Sequence, residues 1–443
     1  MKSLRKFYWL TTEFFKRHHT LIYRVIAAVV VLSLITVALI RVVPAPRTHI
    51  RVGIVGKFTP ETLPTSIQSQ LSQGLVGISH EGNPEPGLAA KWEVLDNEKT
   101  YVFHLDPNLK WDNGDPVLGD DISYNFRDVE IQKSESTVTF RLKEPFSPFF
   151  YAVSRPILKN GRYGTGRYKL AGSVIYSGVL QSITLVSPKE KISYKFYPTE
   201  TSALTAFKLG EIDKLDNISY VPSDITSDPR IEVADAAGLS KIAVIFFNNN
   251  DSLLTSKSAR QGLAYAIEDK AFGHSRTLSP IASSSWAYND LVKDYAYDPD
   301  KAKTIFAQDL ENTAVTIELK TTLQYLDIAE QIASDWRRVL GVLVNVKVVT
   351  TVTSDYQALL ADYTPPTDPD QYTIWHSTQP GNFTHYANLK VDKLLEDGRR
   401  TSDRKLRKEI YQDFQRFLLE DSPAVFLFDT SAYQVSRLPI FSR

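Results

Sequence analysis

The chain has 443 residues, more than a single hydrophobic core normally accommodates, so two or three domains are expected. Its 51 basic and 51 acidic residues cancel, but residues 1–51 hold nine of the basic residues and one acid, which leaves 42 basic against 50 acidic residues elsewhere. This acidic remainder argues against nucleic acid as a partner. The sequence contains no cysteine, which excludes disulfides, thiolate metal sites and lipid attachment through a cysteine.

An apolar segment near the N-terminus predicts a membrane anchor. Val25–Ile40 is apolar apart from one serine and one threonine, and a helix over residues 21–43 would be about 34 Å long, enough to cross a hydrocarbon core of about 30 Å. The basic residues before it place the tail, residues 1–20, in the cytoplasm and residues 48–443 outside the cell membrane. A cleaved signal peptide is the alternative, but residues 43–46 (VPAP) offer no small-x-small cleavage site.

Short strands predominate in the first half of the exported part. Alternating or continuous apolar runs, interrupted by prolines and glycines, are typical of strands joined by turns. The pattern predicts one helix at Thr65–Leu75 and strands at His49–Val55, within Leu88–Leu105, and at Ser136–Leu142, Ser182–Val186 and Ile192–Tyr197.

Strands alternate with helices after Lys241. A buried strand is predicted at Ile242–Asn250, and further strands at Leu343–Val349 and Ala424–Phe428. Apolar residues at helical spacing predict helices at Ser258–Asp269 and Asp300–Leu310, a helix ending at Gly341, and a last helix capped by Ser402. This alternation indicates an α/β fold with a mixed sheet.

A polar, aromatic segment at Thr367–Arg400 is the main candidate for a site. Asp368 and Asp370 flank Pro369 in a turn, and Trp375 follows closely. Acidic turns beside aromatics suit a site that pairs a cation and covers apolar ligand surface. The alternative is a surface loop with ordinary turn chemistry, in which Asp368 begins a turn and Trp375 belongs to the core.

Short motifs in a fixed order run through residues 50–435. They are Gly74–Val76 with Pro86–Glu93, Thr100–Leu105 with Trp111–Gly114 and Asp120–Ile122, Gly164–Tyr168, Ala203–Asp213, Phe246–Asn248 with Ala259–Leu263, Tyr297–Ala302, and Asn388–Leu395 with Arg407 and Tyr411. Together they resemble the extracellular solute-binding proteins of family 5, the oligopeptide, dipeptide and nickel binders that serve ABC importers. The interval from Asp121 to Val138 is shorter than the family usually has, so the scaffold looks trimmed.

The resemblance implies a type II periplasmic-binding architecture, with two lobes around a cleft and a small additional β-rich domain. Lobe I would comprise residues 48–78, 179–245 and 425–443. The β-rich domain would be residues 79–178, and lobe II residues 246–424. Lobe closure around a ligand is the motion expected of such a fold.

The resemblance also implies a peptide site in the cleft. In the family an acid that binds the ligand amine comes from the region matching Asp362–Asp370, and this places the prediction on Asp368 and Asp370, with Asp362 left open. Trp375 would form an aromatic wall. Asn248 would bond ligand backbone, or else cap the end of its strand. Asn382 and Tyr386 complete the predicted ligand-binding set, since the functional part of the segment is narrowed to Asp368–Tyr386.

Metal binding and catalysis are not predicted. His376 and His385 fit no compact ligand spacing, and the sequence contains neither His-Glu-x-x-His, nor Gly-x-Ser-x-Gly, nor a phosphate-binding glycine loop. No cofactor is expected. The sequence therefore predicts a monomeric, membrane-anchored binding protein that delivers peptides to an ABC transporter permease. The alternatives are an anchored sensor or interaction protein that has lost transport, a metal-complex binder and a hydrolase.

Overall fold

A computed structural model describes residues 17–21, 23–33, 47–79, 81–235, 241–309, 315–350, 352–430 and 432–438. The chain divides into a small unit, residues 1–49 with 188–191, and a large unit, residues 50–187 with 192–443. In the small unit, residues 17–21 and 23–33 are helical. Within the described ranges, none of the helices combines the length and apolar character needed to cross a bilayer. The predicted anchor at 21–43 falls partly outside these ranges, since residues 22 and 34–43 are not described.

A seven-stranded mixed sheet contains the first strand of the described fold. Thr48–Val55 pairs in parallel with Lys214–Ile218, and Tyr433–Arg437 lies antiparallel between Lys214–Ile218 and Ile231–Asp235. Across the sheet the strands are ordered Ile231–Asp235, Tyr433–Arg437, Lys214–Ile218, Thr48–Val55, Glu190–Tyr197, Val179–Val186 and Lys169–Tyr176. The associated helices are Thr65–Leu71, Glu200–Lys208 and Ser223–Thr226.

A five-stranded sheet, with helices packed on it, forms the second layer beside that of the seven-stranded sheet. Its order is Leu343–Val348, Thr316–Thr321, Ala358–Tyr363, Lys241–Phe247 and Ala424–Thr430. Helices cover both faces, which explains why the strand IAVIFF is apolar throughout rather than alternating. The helices are Lys257–Ala266, Pro299–Phe306, Leu326–Leu340, Tyr372–Trp375, Leu389–Arg400 and Arg404–Asp421.

A four-stranded antiparallel sheet forms a third layer with an aromatic core. Its strands are ordered Ala89–Leu95, Thr100–Leu105, Thr137–Leu142 and Val129–Lys133, and a two-stranded ribbon, Val76–Ile78 with Pro84–Pro86, and the helix Phe149–Val153 complete it. Phe103, Phe140 and Phe149 pack edge-on or tilted, with ring centres 5.3 to 6.4 Å apart. Short 3₁₀ turns lie at Gly119–Asp121, Ala307–Asp309 and Leu323–Tyr325.

The mixed α/β character predicted from the sequence is confirmed. Gly341 ends its helix in the left-handed region with φ 71°, as a C′ glycine does. One cap was predicted wrongly. Asp403, not Ser402, caps the last helix by accepting a hydrogen bond from the Leu406 amide at 2.8 Å, while Ser402 bonds to Glu98.

Strand pairing groups two segments differently from the predicted domain limits, and one limit falls inside a strand. Lys169–Tyr176, assigned to the β-rich domain, pairs in the seven-stranded sheet. Ala424–Thr430, assigned almost wholly to lobe I, pairs with Lys241–Phe247 in the five-stranded sheet, so a limit at residue 245 would divide a strand. The cause is that strand partners come from distant parts of the chain, and strand periodicity does not reveal them. The domain limits themselves stay a prediction.

Candidate functional site

Two adjoining cavities lie within the large unit. The first has a volume of about 320 Å³ and the second about 480 Å³, and they share Gly82, Tyr151, Trp286 and Arg404. The first is also lined by residues of the four-stranded layer, by Arg407 of the helix Arg404–Asp421 and by two loop residues, Asp368 and Ser402. Those of the four-stranded layer are Asn83, Pro84, Val94, Glu98, Tyr101, Ser147 and Phe150. The second is also lined by Ile78, Ser79, Glu81, Ala282, Ser284, Ser285 and Thr364–Thr367. A concave space that combines aromatic walls with a small number of placed polar and charged groups is typical of a ligand site.

Gly82 is required where the two cavities meet. Its φ is 82°, in the left-handed region, and a Cβ at this position would lie 2.8 Å from the Tyr151 hydroxyl oxygen. The Tyr151 hydroxyl in turn donates to the Gly82 carbonyl at 3.4 Å. A side chain here would therefore displace Tyr151 from the cavity wall.

Asp368 lines the first cavity but is held by a buried arginine. Nη1 and Nη2 of Arg407 donate to its two carboxylate oxygens at 2.9 and 2.5 Å. Both side chains are less than 10% exposed, at 7% and 8%. Burial by itself lowers the pKa of Arg407. The hydrogen bonds to Asp368 and the charge of Asp368 have the larger combined effect, so the Arg407 pKa is raised. Asp368 also accepts from the Asp370 amide at 2.9 Å, so it starts the turn.

Asp370 is paired in the same way with Arg399. Nε and Nη2 of Arg399 donate to one carboxylate oxygen at 3.0 and 2.9 Å. Burial raises the pKa of Asp370, and the charge of Arg399 counteracts this. The guanidinium of Arg399 lies 4.1 Å from the Tyr372 ring centre and 5.2 Å from that of Phe146, which fixes its plane. Asp370 lines neither of the two cavities described above.

Trp375 and Asn248 also serve the scaffold. Trp375 is 1% exposed and packs in the core beside Phe426, with ring centres 6.2 Å apart. The Asn248 amide nitrogen donates to the Tyr356 carbonyl at 2.9 Å, and its oxygen accepts from the Asn250 amide at 3.1 Å. These are contacts of a core tryptophan and of a strand-end cap, the two alternatives left open by the sequence.

Asn382 and Tyr386 hold their own loop together. Asn382 is 5% exposed and donates to the Tyr386 carbonyl at 2.7 Å. The Tyr386 hydroxyl donates to Asp421 at 2.8 Å, and burial, then the charge of Asp421, raises the Tyr386 pKa. Among the six residues predicted to bind ligand, Asp368 alone lines one of the two described cavities. Their roles toward a ligand stay a prediction.

Asp362, which the sequence left open, belongs to a second polar group. It accepts hydrogen bonds from the Tyr325 hydroxyl and from Gln324 at 3.2 Å, and Lys241 lies 3.7 Å away. Gln324 also contacts Ser219, whose hydroxyl donates to Glu200. This group joins the ends of strands from the seven-stranded and five-stranded sheets.

The described residues contain no group of three or more His, Asp or Glu side chains arranged to hold a metal ion. Nδ1 of His376 accepts from the Thr378 amide at 3.2 Å, which is a local turn contact. Its Nε2 lies 3.5 Å from Glu396.

Sequence reasoning missed the residues that the two cavities share. Gly82, Tyr151, Trp286 and Arg404 come from four separate segments, and none lies within Thr367–Arg400. The one available signal was Trp286, a large aromatic in the polar stretch SSSWAYND. Periodicity cannot bring the four together, because their proximity depends on how the layers pack.

Solved structures share this fold. NikZ from Campylobacter jejuni, in complex with Ni(L-His), has a TM-score of 0.75 at 20% identity, covering 89% of this chain and 94% of that one. The oligopeptide-binding protein AppA from Bacillus subtilis, in complex with a nonapeptide, has a TM-score of 0.69 at 20% identity, covering 89% and 95%. The chain thus shares the mixed α/β fold of these two proteins, and the expected two-lobed form fits it.

Sequence comparison gives the family. Residues 83–134 and 188–385, more than half of the chain, match the model of bacterial extracellular solute-binding proteins, family 5 Middle. The chain belongs to this family, whose members are binding proteins rather than enzymes. The probable D,D-dipeptide-binding periplasmic protein DdpA of Escherichia coli (strain K12) is 24% identical over 421 residues, 80% of each chain. Di/tripeptide-binding protein 1 of Pseudomonas aeruginosa (strain UCBPP-PA14) is 24% identical over 445 residues, 80% of this chain and 82% of that protein.

Proposed function

We propose that this chain is a membrane-anchored, extracytoplasmic solute-binding protein that captures peptides between its layers and delivers them to the permease of an ABC importer. The observation that carries the proposal is the pair of cavities walled by Tyr151 and Trp286. Several relatives are named as dipeptide-, di/tripeptide- or oligopeptide-binding proteins.

The cavity walls suit peptide chemistry. A peptide presents amide donors and acceptors along its length and side chains of varied character. In the second cavity, Ser79, Ser284 and Thr367 supply hydroxyls that both donate and accept hydrogen bonds. Trp286 and Tyr151 supply broad faces that tolerate many side chains. The volumes of about 320 and 480 Å³ lie in the range of small-molecule sites and favour short peptides.

Polar contacts between layers support closure around the ligand. The amide of Ser147, in the four-stranded layer, donates to the Arg399 carbonyl at 2.8 Å, and its hydroxyl contacts the Gly398 carbonyl at 3.1 Å. Glu144 pairs with Arg400 at 2.7 Å. Moving an open–closed equilibrium from 1:99 to 99:1 takes about 5.5 kcal/mol of differential affinity. A ligand supplies part of that difference by contacting both sides at once.

The anchor is proposed from the apolar run Val25–Ile40 and the basic residues before it. Deleting residues 21–43 should move the protein from the membrane fraction to a soluble fraction. An unchanged distribution would refute the anchor without touching the binding proposal.

Peptide binding is tested on the full chain in detergent. Thermal shift and calorimetry with pools of di-, tri- and tetrapeptides should show a rise in melting temperature on binding. Trp286→Ala should weaken binding, whereas Tyr176→Ala, at a hairpin residue 74% exposed, serves as the aromatic control. The ligand-free melting temperature of each variant separates loss of fold from loss of binding. No response to any peptide pool would refute the proposal.

A sensor or interaction protein on the same scaffold is the second candidate. The basic tail, residues 1–20, favours it because the tail would face the cytoplasm and could contact a partner there. Peptide-dependent growth of an auxotroph distinguishes the two. A transport protein supports growth, while a sensor binds peptide without supporting it.

A further inference from the structure

Three arginines of the consecutive helices Leu389–Arg400 and Arg404–Asp421 lie close to the cavities, and they differ in how their charge is balanced. Arg399 and Arg407 are paired with Asp370 and Asp368. Arg404 lies at the junction, where it lines both cavities. Among the described residues, no carboxylate oxygen lies within 4.0 Å of its guanidinium nitrogens. The junction therefore carries a cation that has no direct carboxylate partner among the described residues, although Glu98 lines the first cavity and Glu81 the second.

The Arg404 guanidinium is also held in place. Nη1 donates to the side-chain oxygen of Asn83 at 3.1 Å, and Nη2 donates to the Glu81 carbonyl at 2.6 Å. Its central carbon lies 5.1 Å from the centre of the Trp286 ring. A guanidinium has five N–H donors, so two neutral acceptors leave three donors for another group. Because the planar guanidinium is already oriented, the Arg404 side chain loses little further conformational entropy when it binds a planar acceptor.

We infer that Arg404 binds a carboxylate of the ligand at the junction of the two cavities. This inference rests on the proposed function and names the charged group of the peptide that the junction binds. A guanidinium matches a carboxylate through paired, charge-assisted hydrogen bonds, which a neutral amide cannot reproduce. Asp368 is neutralised by Arg407. The other carboxylates that line the cavities, Glu98 and Glu81, accept hydrogen bonds from Ser402 and Asn83 rather than from Arg404. The carboxylate of the ligand comes either from the C-terminus of the peptide or from an acidic side chain.

If Arg404 binds a carboxylate, it makes the protein prefer peptides that carry one. The test therefore compares the affinities for peptides with and without a carboxylate. The full chain is titrated with three tripeptide pools: free acids with neutral side chains, the same sequences as C-terminal amides, and amides with glutamate at the second position. Wild-type protein should bind the free acids about 10- to 100-fold more tightly than the neutral amides. Recovery of affinity by the glutamate-containing amides would assign the contact to a side-chain carboxylate.

Arg404→Gln should remove this preference, bringing free acids down to the affinity of neutral amides while leaving the amides unchanged. Arg404→Lys keeps the positive charge but loses the paired donors of the guanidinium, so it should retain part of the preference for free acids. Arg416→Gln is the matched control, because Arg416 lies on the same helix, pairs with Asp413 and lines neither described cavity.

The inference is overturned if wild-type protein binds free acids and amides equally. It is also overturned if Arg404→Gln weakens both pools alike, which indicates a structural role. In either case peptide binding persists and the proposed function stands. If the wild-type chain binds none of the pools, the proposed function and this inference fail together.

Discussion

The Asp368–Arg407 pair decides whether Asp368 is a ligand anchor or part of the scaffold, and Asp368→Asn tests this directly. Asparagine preserves the size of the side chain and the turn contact to the Asp370 amide, so the substitution removes little except the charge. Arg407 would then be left at 7% side-chain exposure without a carboxylate partner. The variant therefore isolates the ion pair.

The expected loss of stability follows from this burial. Removing one partner of a buried ion pair costs about 3–5 kcal/mol, because the remaining charge stays desolvated. The asparagine oxygen still accepts one of the two hydrogen bonds that Arg407 makes. We therefore expect Asp368→Asn to lower the free energy of unfolding by about 3 kcal/mol, at the low end of that range.

The assay is urea unfolding of the ligand-free chain followed by tryptophan fluorescence. All six tryptophans contribute to this signal, and one of them, Trp286, lies at the site, with the Arg407 guanidinium 5.7 Å from its ring centre. Asp413→Asn is the matched control. Its partner Arg416 lies 2.8 Å away, but both side chains are more than half exposed, so a change of at most about 0.5 kcal/mol is expected.

A double-mutant cycle with Arg407→Gln completes the test. The double variant should be more stable than the sum of the two single losses predicts, because it leaves no unpaired charge. The reasoning is refuted if Asp368→Asn changes stability no more than Asp413→Asn does. Unchanged stability together with lost peptide binding would instead favour the ligand role predicted for Asp368.

Three further predictions concern packing, protonation and the loop. Gly164→Ala should lower the free energy of unfolding by about 1–3 kcal/mol or more in urea unfolding, because a Cβ would lie 1.9 Å from the Leu71 carbonyl oxygen. Gly172→Ala is the control: a Cβ there would have no atom within 4 Å, so stability should change by less than about 0.5 kcal/mol. Burial, then the charge of Arg276, lowers the pKa of Lys270 from 10.5 to about 8. Between these pH values unfolding takes up a proton, so the free energy of unfolding of the wild type should rise with pH across that window. Lys270→Met should therefore be more stable than the wild type by about 2–3 kcal/mol at pH 7, and this difference should vanish above pH 10.5. Asn382→Ala should cost about 1–3 kcal/mol in urea unfolding with peptide affinity unchanged, and the opposite pattern would favour the predicted ligand role.

Much of the fold was predictable because local patterns encode local structure. The helix Leu326–Leu340 follows from apolar residues at four-residue steps and from Gly341, and it forms as expected. The helix Pro299–Phe306 is capped by Asp298, whose side chain accepts from the Lys301 amide, close to its predicted start. The strand Lys241–Phe247 was visible as a continuous apolar run. Each of these signals lies within about fifteen residues.

The candidate site was predictable only in part, for the opposite reason. Arg407 stands 39 residues after Asp368, and spacing alone does not show that it would neutralise that carboxylate. Trp375 could equally have lined a pocket or joined the core. Its 1% exposure results from helices packing onto the five-stranded sheet.

The sequence by itself therefore determined the class of fold, the positions of most helices and strands, and the family, because periodicity and ordered motifs are properties of the chain. Tertiary structure alone decided which charges are neutralised and which face a cavity. Asp368 and Arg404 look equally available in the sequence. Packing buries Asp368 beside Arg407 and leaves Arg404 over Trp286, without a carboxylate partner among the described residues. Only the tertiary structure decides this, because burial and ion pairing depend on neighbours that are distant along the chain.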